Sequence, residues 1–205
     1  MIKIHRQADN KVIVQLGRDE AMILRILPGR LREVIEDPDA NARVTRRLFP
    51  TAYKDKTKDA EYQRLLGDDL KRRKLEGVKT FESTLARMRL VKDGYVEFHI
   101  EAEEYEFWLG FVNDFRLMLG TELDIRDDDW EEHVQPNDPR AHDYALLHYL
   151  TWLEDELVRA SGYDFESISM EDIEGGEDDD DSEFPDFPDF EDDDVSGSGD
   201  SGESR

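Results

Sequence analysis

The chain contains no cysteine. That one absence excludes disulfides, thiolate nucleophiles, thiol redox switches and cysteine-ligated metals. Long apolar runs are also missing. The stretch from Phe107 to Val112 is interrupted by Gly110 and is far too short to span a bilayer. The opening residues, Met1 to Asp9, lack the apolar centre of a secretory leader. Together these absences predict a soluble cytoplasmic protein with no membrane partner.

Recognisable catalytic and cofactor motifs are absent too. The sequence holds no nucleophile elbow, phosphate-cradling glycine loop or dinucleotide fingerprint. Carboxylates abound, but nothing holds two of them at a catalytic distance. The expectation is therefore a non-catalytic protein without a cofactor. The five histidines are His5, His99, His133, His142 and His148. His142 and His148 are six apart and miss a common helical face. His133 sits in an acidic loop, Asp127 to Glu132, that lacks the glycine of a calcium loop. No metal site is expected, and His148 reads as a partly buried core histidine.

Basic residues are scarce in one place above all. Residues 164–205 hold 19 acidic side chains and a single basic one, Arg205, so they carry −18 of the total −25. Residues 93–163 sum to −15, whereas 18–92 sum to +6 and 1–17 to +2. A basic middle between acidic flanks indicates binding managed through charge. Beyond Gly162 the composition collapses into Asp, Glu, Ser, Gly and Pro. Such a segment buries too little apolar surface to offset its conformational entropy. The reading is one mainly helical domain with small β-hairpins, residues 1–163, followed by a disordered acidic tail, 164–205.

Within the domain, Ile2-Lys3-Ile4 and Val12-Ile13-Val14 flank a polar stretch and predict a hairpin. Leu24, Leu27, Leu31, Val34 and Ile35 recur at helical intervals, with a kink or two abutting helices expected at Pro28. Asp39 is placed to cap a short helix ending near Leu48. Thr57 is placed to cap a long one, 58–88, with a bend at Gly67 or Gly77. Asp93-Gly94 marks a second hairpin, carried on by Val96, Phe98 and Ile100. A buried central helix is expected over 101–119, stopped by Gly120. Asp138 as cap and Pro139 at the first position announce a final helix carrying Leu146, Leu147, Leu150, Leu153 and Leu157.

The segment Trp108-Leu109, Asn113-Asp114-Phe115-Arg116-Leu117 and Leu119-Gly120-Thr121 resembles the central signature of an actinobacterial domain family of unknown function. In that family a helix ending in "NDLRLxLGT" precedes an acidic loop. Leu48-Phe49-Pro50-Thr51-Ala52-Tyr53, Tyr62-Gln63-Arg64-Leu65 and the closing Tyr149-Leu150-Thr151-Trp152-Leu153 are similar in kind and spacing. The resemblance spans nearly all of residues 10–160. It implies a stress-response transcriptional regulator (AosR-like), since members include oxidative-stress regulators and are often encoded beside the ClpS proteolysis adaptor. A thiol switch does not carry over, because this chain has no cysteine.

Candidate binding residues follow from charge. Lys71-Arg72-Arg73-Lys74, with Arg64 and Lys79 on the same helical stretch and Arg43, Arg46 and Arg47 before it, are candidates for contact with DNA or an acidic partner. Four consecutive cations fan around a helix, so some are expected to pair with Asp68, Asp69 or Glu76. Asn113, Asp114 and Arg116 interrupt an apolar helix. They read either as a binding or catalytic polar cluster or, the favoured reading, as a packing network in which Arg116 meets an acidic residue of the last helix such as Asp155 or Glu156. In the tail, Phe184, Phe187 and Phe190 stand at intervals of three in a repeated Phe-Pro-Asp. Aromatics spaced by acids and stiffened by proline suit docking onto a protein partner. The alternative function is a protein–protein adaptor, linked to Clp proteolysis as the resemblance implies, acting through this acidic tail or a helical groove.

The charge division yields a first prediction. If the −18 segment competes with DNA for the +6 region, deleting residues 164–205 raises DNA affinity, and more so at low salt, where screening is weak. Equal affinities with and without these residues, by fluorescence anisotropy, would refute the competition.

Overall fold

The computed structural model describes residues 2–127, 130–135 and 137–162. The tail candidates Phe184, Phe187 and Phe190 lie outside the described residues. The architecture is mainly helical, with a small antiparallel sheet. Strands β1 (Lys3–Arg6) and β2 (Val12–Leu16) form the expected first hairpin, whose turn places Asn10 in the left-handed region (φ 66°). Strands β3 (Arg89–Leu90) and β4 (Val96–Ile100) form the second. Both hairpins belong to one sheet, in the order β1-β2-β4-β3, because β2 also pairs with β4.

The period of two sorts the sheet's faces. Val12, Val14 and Leu16 oppose Ile100, Phe98 and Val96 and face the core. On the other face Gln15 and Arg89 both register with Glu97. Gln15 Nε2 donates to the Glu97 carboxylate at 2.7 Å, Arg89 Nη2 at 2.5 Å, and the His99 ring lies 3.3 Å away.

Helix α1 (Arg18–Glu36) runs unbroken through Pro28, so the chain makes one helix where two abutting ones were an alternative. Its stripe of Leu24, Leu27, Leu31 and Ile35 is fully buried and holds the helix together across the missing amide. Helix α2 (Ala42–Leu48) is capped by Asn41, whose Oδ1 accepts from the Val44 amide at 3.2 Å. Asp39, the expected cap, lies two residues too early. Helix α3 (Lys56–Tyr62) is capped by Asp55 rather than Thr57, its Oδ1 accepting from the amides of Thr57 and Lys58. A widened π-turn, Gln63–Gly67, then leads into α4 (Asp68–Ala86). The expected long helix thus stays helical but changes its winding over Gln63–Gly67, where Gly67 keeps ordinary helical angles (φ −61°, ψ −42°).

Helix α5 (Tyr105–Leu123) begins after a turn held by a reciprocal capping box between Glu101 and Glu104. It passes through Gly120, contrary to expectation, and ends at Asp124 in the left-handed conformation (φ 62°). The extra turn is explained by Leu123, which continues the buried stripe beyond Leu119. A short α6 (Trp130–His133) precedes α7 (Ala141–Ala160). Asp138 and Pro139 fall in the turn before α7, where the Asp138 carboxylate accepts from the Arg140 amide at 2.7 Å. The cap therefore stands farther from the helix than the sequence indicated.

The core gathers around α5, which packs against α2, α4 and α7. Phe81 of α4 lies 3.8 Å, ring to ring, from Phe111 and 4.1 Å from Trp108, and Trp108 stacks on Phe98 of the sheet at 5.2 Å.

The Glu97 cluster generates a pH prediction. Hydrogen bonds from Gln15 and then Arg89 hold its carboxyl down to about 2, against the opposing effect of burial. A depressed folded-state pKa stabilises the fold above the ordinary carboxyl range, and that stability is lost as pH falls toward about 2. Glu97→Gln is expected to cost about 1–2 kcal/mol at neutral pH, discounted for the solvent around Arg89. The cost should shrink toward zero in acid. A pH-independent difference in urea unfolding would contradict this.

Candidate functional site: a groove along helix α5

Most of α5 is buried, yet Glu106, Gly110, Asn113, Leu117 and Thr121 recur every three or four residues and leave one strip uncovered. Two depressions lie along this strip and share Asn113. The Asn113 side chain has no hydrogen-bond partner among the described residues.

The first depression, of about 320 Å³, lies between α4 and α5. At its base Lys74 Nζ meets Asp114 Oδ1 at 2.5 Å, with the two side chains only 13% and 10% exposed. The ammonium also lies 5.8 Å from the centre of the Phe49 ring, at the end of α2. Burial pushes the Asp114 carboxyl above its usual range, and Lys74 opposes that rise. Arg73 reaches Glu106 at 3.6 Å across the opening.

The second depression, of about 570 Å³, is walled by α2, α5, α7 and Trp130. Arg43 and Arg47, one turn apart on α2, and Arg116 of α5 line it. Arg43 pairs with Asp124. Arg116 pairs with Glu154 and donates through Nε to Thr151 at 3.1 Å. Desolvation lowers the Arg116 pKa, while Asp155 works the other way. Arg47 has no ion pair or side-chain hydrogen bond among the described residues. Trp130 stacks on Tyr144, with ring centres 5.6 Å apart.

The sequence candidates fall into separate groups. Arg43, Arg46 and Arg47 project from α2 on the side away from the buried Val44 and Leu48. Arg64 is exposed in the π-turn and Lys79 is exposed on α4. Lys71 to Lys74 do not form one surface, because successive residues stand about 100° apart around the helix. Arg72 bends back to Asp69 at 2.9 Å, Arg73 turns to Glu106, Lys74 points inward, and Lys71 is half-buried without a partner among the described residues.

Of the expectations about polar residues, one holds in kind and one is corrected. Asp114 and Arg116 do pin helices together, and Arg116 meets an acidic residue of the last helix as expected, Glu154, beside the Asp155 that the sequence suggested. His148 is exposed and bonds to Glu131 at 2.8 Å, so it is not a core histidine. It lies on the outer face of α7, between the buried Leu147 and Leu150. The roles of Trp130 and Thr151 in the groove were not anticipated. The usable signal was the spacing of small and polar residues, Gly110, Asn113, Gly120 and Thr121, within an otherwise apolar helix. Among the described residues no cluster of His, Asp and Glu is arranged to hold a metal. No helix among them is long and apolar enough to cross a membrane.

The chain belongs to a domain family of unknown function (DUF2017), whose family model matches residues 1–161. No curated protein and no solved structure matches it.

The Lys74–Asp114 pair makes a stability prediction. Lys74→Ala leaves a buried carboxyl unpaired and should cost about 3–5 kcal/mol, whereas Lys74→Met combined with Asp114→Leu should recover most of the loss. The loss in the single variant should grow as pH rises through the carboxylate range, because the stranded group must then ionise. Urea titrations of both variants provide the check. A single variant as stable as the parent would show that the pair contributes nothing.

Proposed function

We propose that this family member is a non-catalytic regulator, of the transcriptional, stress-response kind, which contacts DNA through α2 and the basic stretch that follows it. The observation that carries the reading is the state of the cations. Arg46, Arg47, Arg64 and Lys71 have no ionic partner among the described residues, whereas Arg72, Arg73 and Lys74 are engaged within the fold. Residues 43–64 hold seven basic side chains against three acidic ones. Two of those acids are occupied by backbone amides: Asp55 caps α3, and Asp59 accepts from Ala52 and Tyr53. The loop is tied to the π-turn through Gln63 and Pro50. Unpaired guanidinium groups on an ordered surface neutralise phosphates and release counterions.

A second reading, a protein adaptor linked to Clp proteolysis, draws on a different observation. Met22 and Ile26, one turn apart on α1, are 68% and 64% exposed, with Ile23 beside them. Apolar side chains gathered on one helix face favour a protein partner.

The test is an anisotropy titration of the full chain against short duplex DNA at low and physiological salt. Salt-sensitive binding is expected. Changing Arg46 and Arg47 to Ala should weaken it and reduce the salt slope by about two. No binding at low salt would eliminate the DNA reading. In that event Met22→Asp with Ile26→Asp should abolish binding to the ClpS adaptor if the second reading holds.

A further inference from the structure

The second depression has the composition of a ligand site rather than of a phosphate-backbone surface. Its volume, about 570 Å³, lies within the range of small-molecule sites. Its chemistry is divided. Arg43, Arg47 and Arg116 bring three guanidinium groups from two helices to one cleft, and Trp130 with Ile125 gives it an aromatic and apolar wall. Asp127 is the acidic lining side chain among the described residues.

The ion pairs explain how the cations are held. Asp124 engages Arg43, and Glu154 with Thr151 engages Arg116. Each contact uses part of a five-donor guanidinium fork and leaves N–H groups for another acceptor. Arg47 contributes a whole fork, since it has no partner among the described residues, and Asn113 contributes a free amide. Arg116 is partly withdrawn from water, which strengthens its attraction for an anion.

We propose that this cleft binds a free nucleoside monophosphate. The phosphate sits against Arg47 and the remaining donors of Arg43 and Arg116, which match its oxygens in bidentate geometry. The planar base packs on Trp130. Asp127 accepts hydrogen bonds from the sugar hydroxyls, and it disfavours ligands that are anionic at both ends. Inorganic phosphate satisfies the arginines alone, so it is a weak ligand. Arg47 is common to this site and to the DNA reading, but Trp130 belongs to the cleft alone, so Trp130→Leu separates the two.

The experiment is calorimetric titration of the full chain with AMP, GMP, CMP and UMP, with inorganic phosphate and a 5′-phosphorylated single-stranded oligonucleotide as comparison ligands. At least one mononucleotide should bind one to one, with a dissociation constant on the order of 10–100 µM, as ligands of this size support. Inorganic phosphate should bind at least about tenfold more weakly. Arg47→Ala, an exposed change that leaves the core intact, should weaken the mononucleotide about tenfold or more. Trp130→Leu should weaken it without altering phosphate binding, and Trp130→Phe should restore it. The proposal is overturned if no mononucleotide binds at millimolar concentration, if phosphate binds equally well, or if Arg47→Ala has no effect. Tighter binding of the oligonucleotide at the same arginines would overturn the free nucleotide as occupant and assign the cleft to nucleic-acid ends.

Discussion

Everything in this fold leans on the aromatic seam between α4 and α5. Phe81 lies against Trp108 and Phe111, and Trp108 in turn stacks on Phe98, so one set of rings joins two helices to the sheet. Large buried rings contribute more apolar area per residue than any aliphatic side chain. The seam therefore sets where α5 lies, and α5 sets where the groove lies. Its buried arc commits Trp108, Phe111, Phe115, Met118 and Leu119 inward. The remaining strip, from Glu106 through Asn113 to Thr121, is exposed or partly exposed among the described residues.

Polar residues on α5 follow from the same constraint. Asp114 falls on the buried side of the helix, where a carboxylate is tolerable only with a partner. Lys74 supplies one from the neighbouring helix, which removes a cation from the surface charge and ties α4 to α5. Arg116 is partly buried and takes Glu154 from α7. Thus the helix that organises the core is pinned to its neighbours on two sides by cross-helix ion pairs. Such pairs fix register more than they add stability.

The sequence conveyed most of the fold and little of the site. Apolar periodicity located α1, α5 and α7, because a buried helical stripe is a long-range repeat that survives local irregularity. Asp93-Gly94 located the second hairpin, although residues 91–95 join its strands through a short helical turn where a two-residue turn was expected. Helix ends were less legible. Asn41 and Asp55 cap where Asp39 and Thr57 were expected, since one side-chain hydrogen bond decides among adjacent residues able to cap. Gly120 did not stop α5 because burial of Leu123 outweighs a glycine's modest cost. That both hairpins share one sheet depends on β2 meeting β4, a contact between residues more than eighty positions apart. The groove was hidden for a similar reason: Arg47, Arg116 and Trp130 come from three elements that only tertiary packing brings together.

The same packing changes what the charge distribution means. A count along residues 18–92 treats every cation alike, but the folded chain divides them. The conspicuous run from Lys71 to Lys74 is largely occupied by Asp69, Glu106 and Asp114, whereas on the less conspicuous α2 Arg46 and Arg47 have no ionic partner among the described residues. Arg47 lines the cleft and Arg46 stands beside it on the same short helix, so the two proposed surfaces would lie within one turn. On the readings proposed above, an anion held in the cleft takes up Arg47 and withdraws it from any DNA phosphate. By linkage, DNA at α2 must then weaken the cleft ligand by the same factor. Coupling of that kind needs no conformational change: two anions compete for one arginine, and the short span of α2 is enough to make them do so.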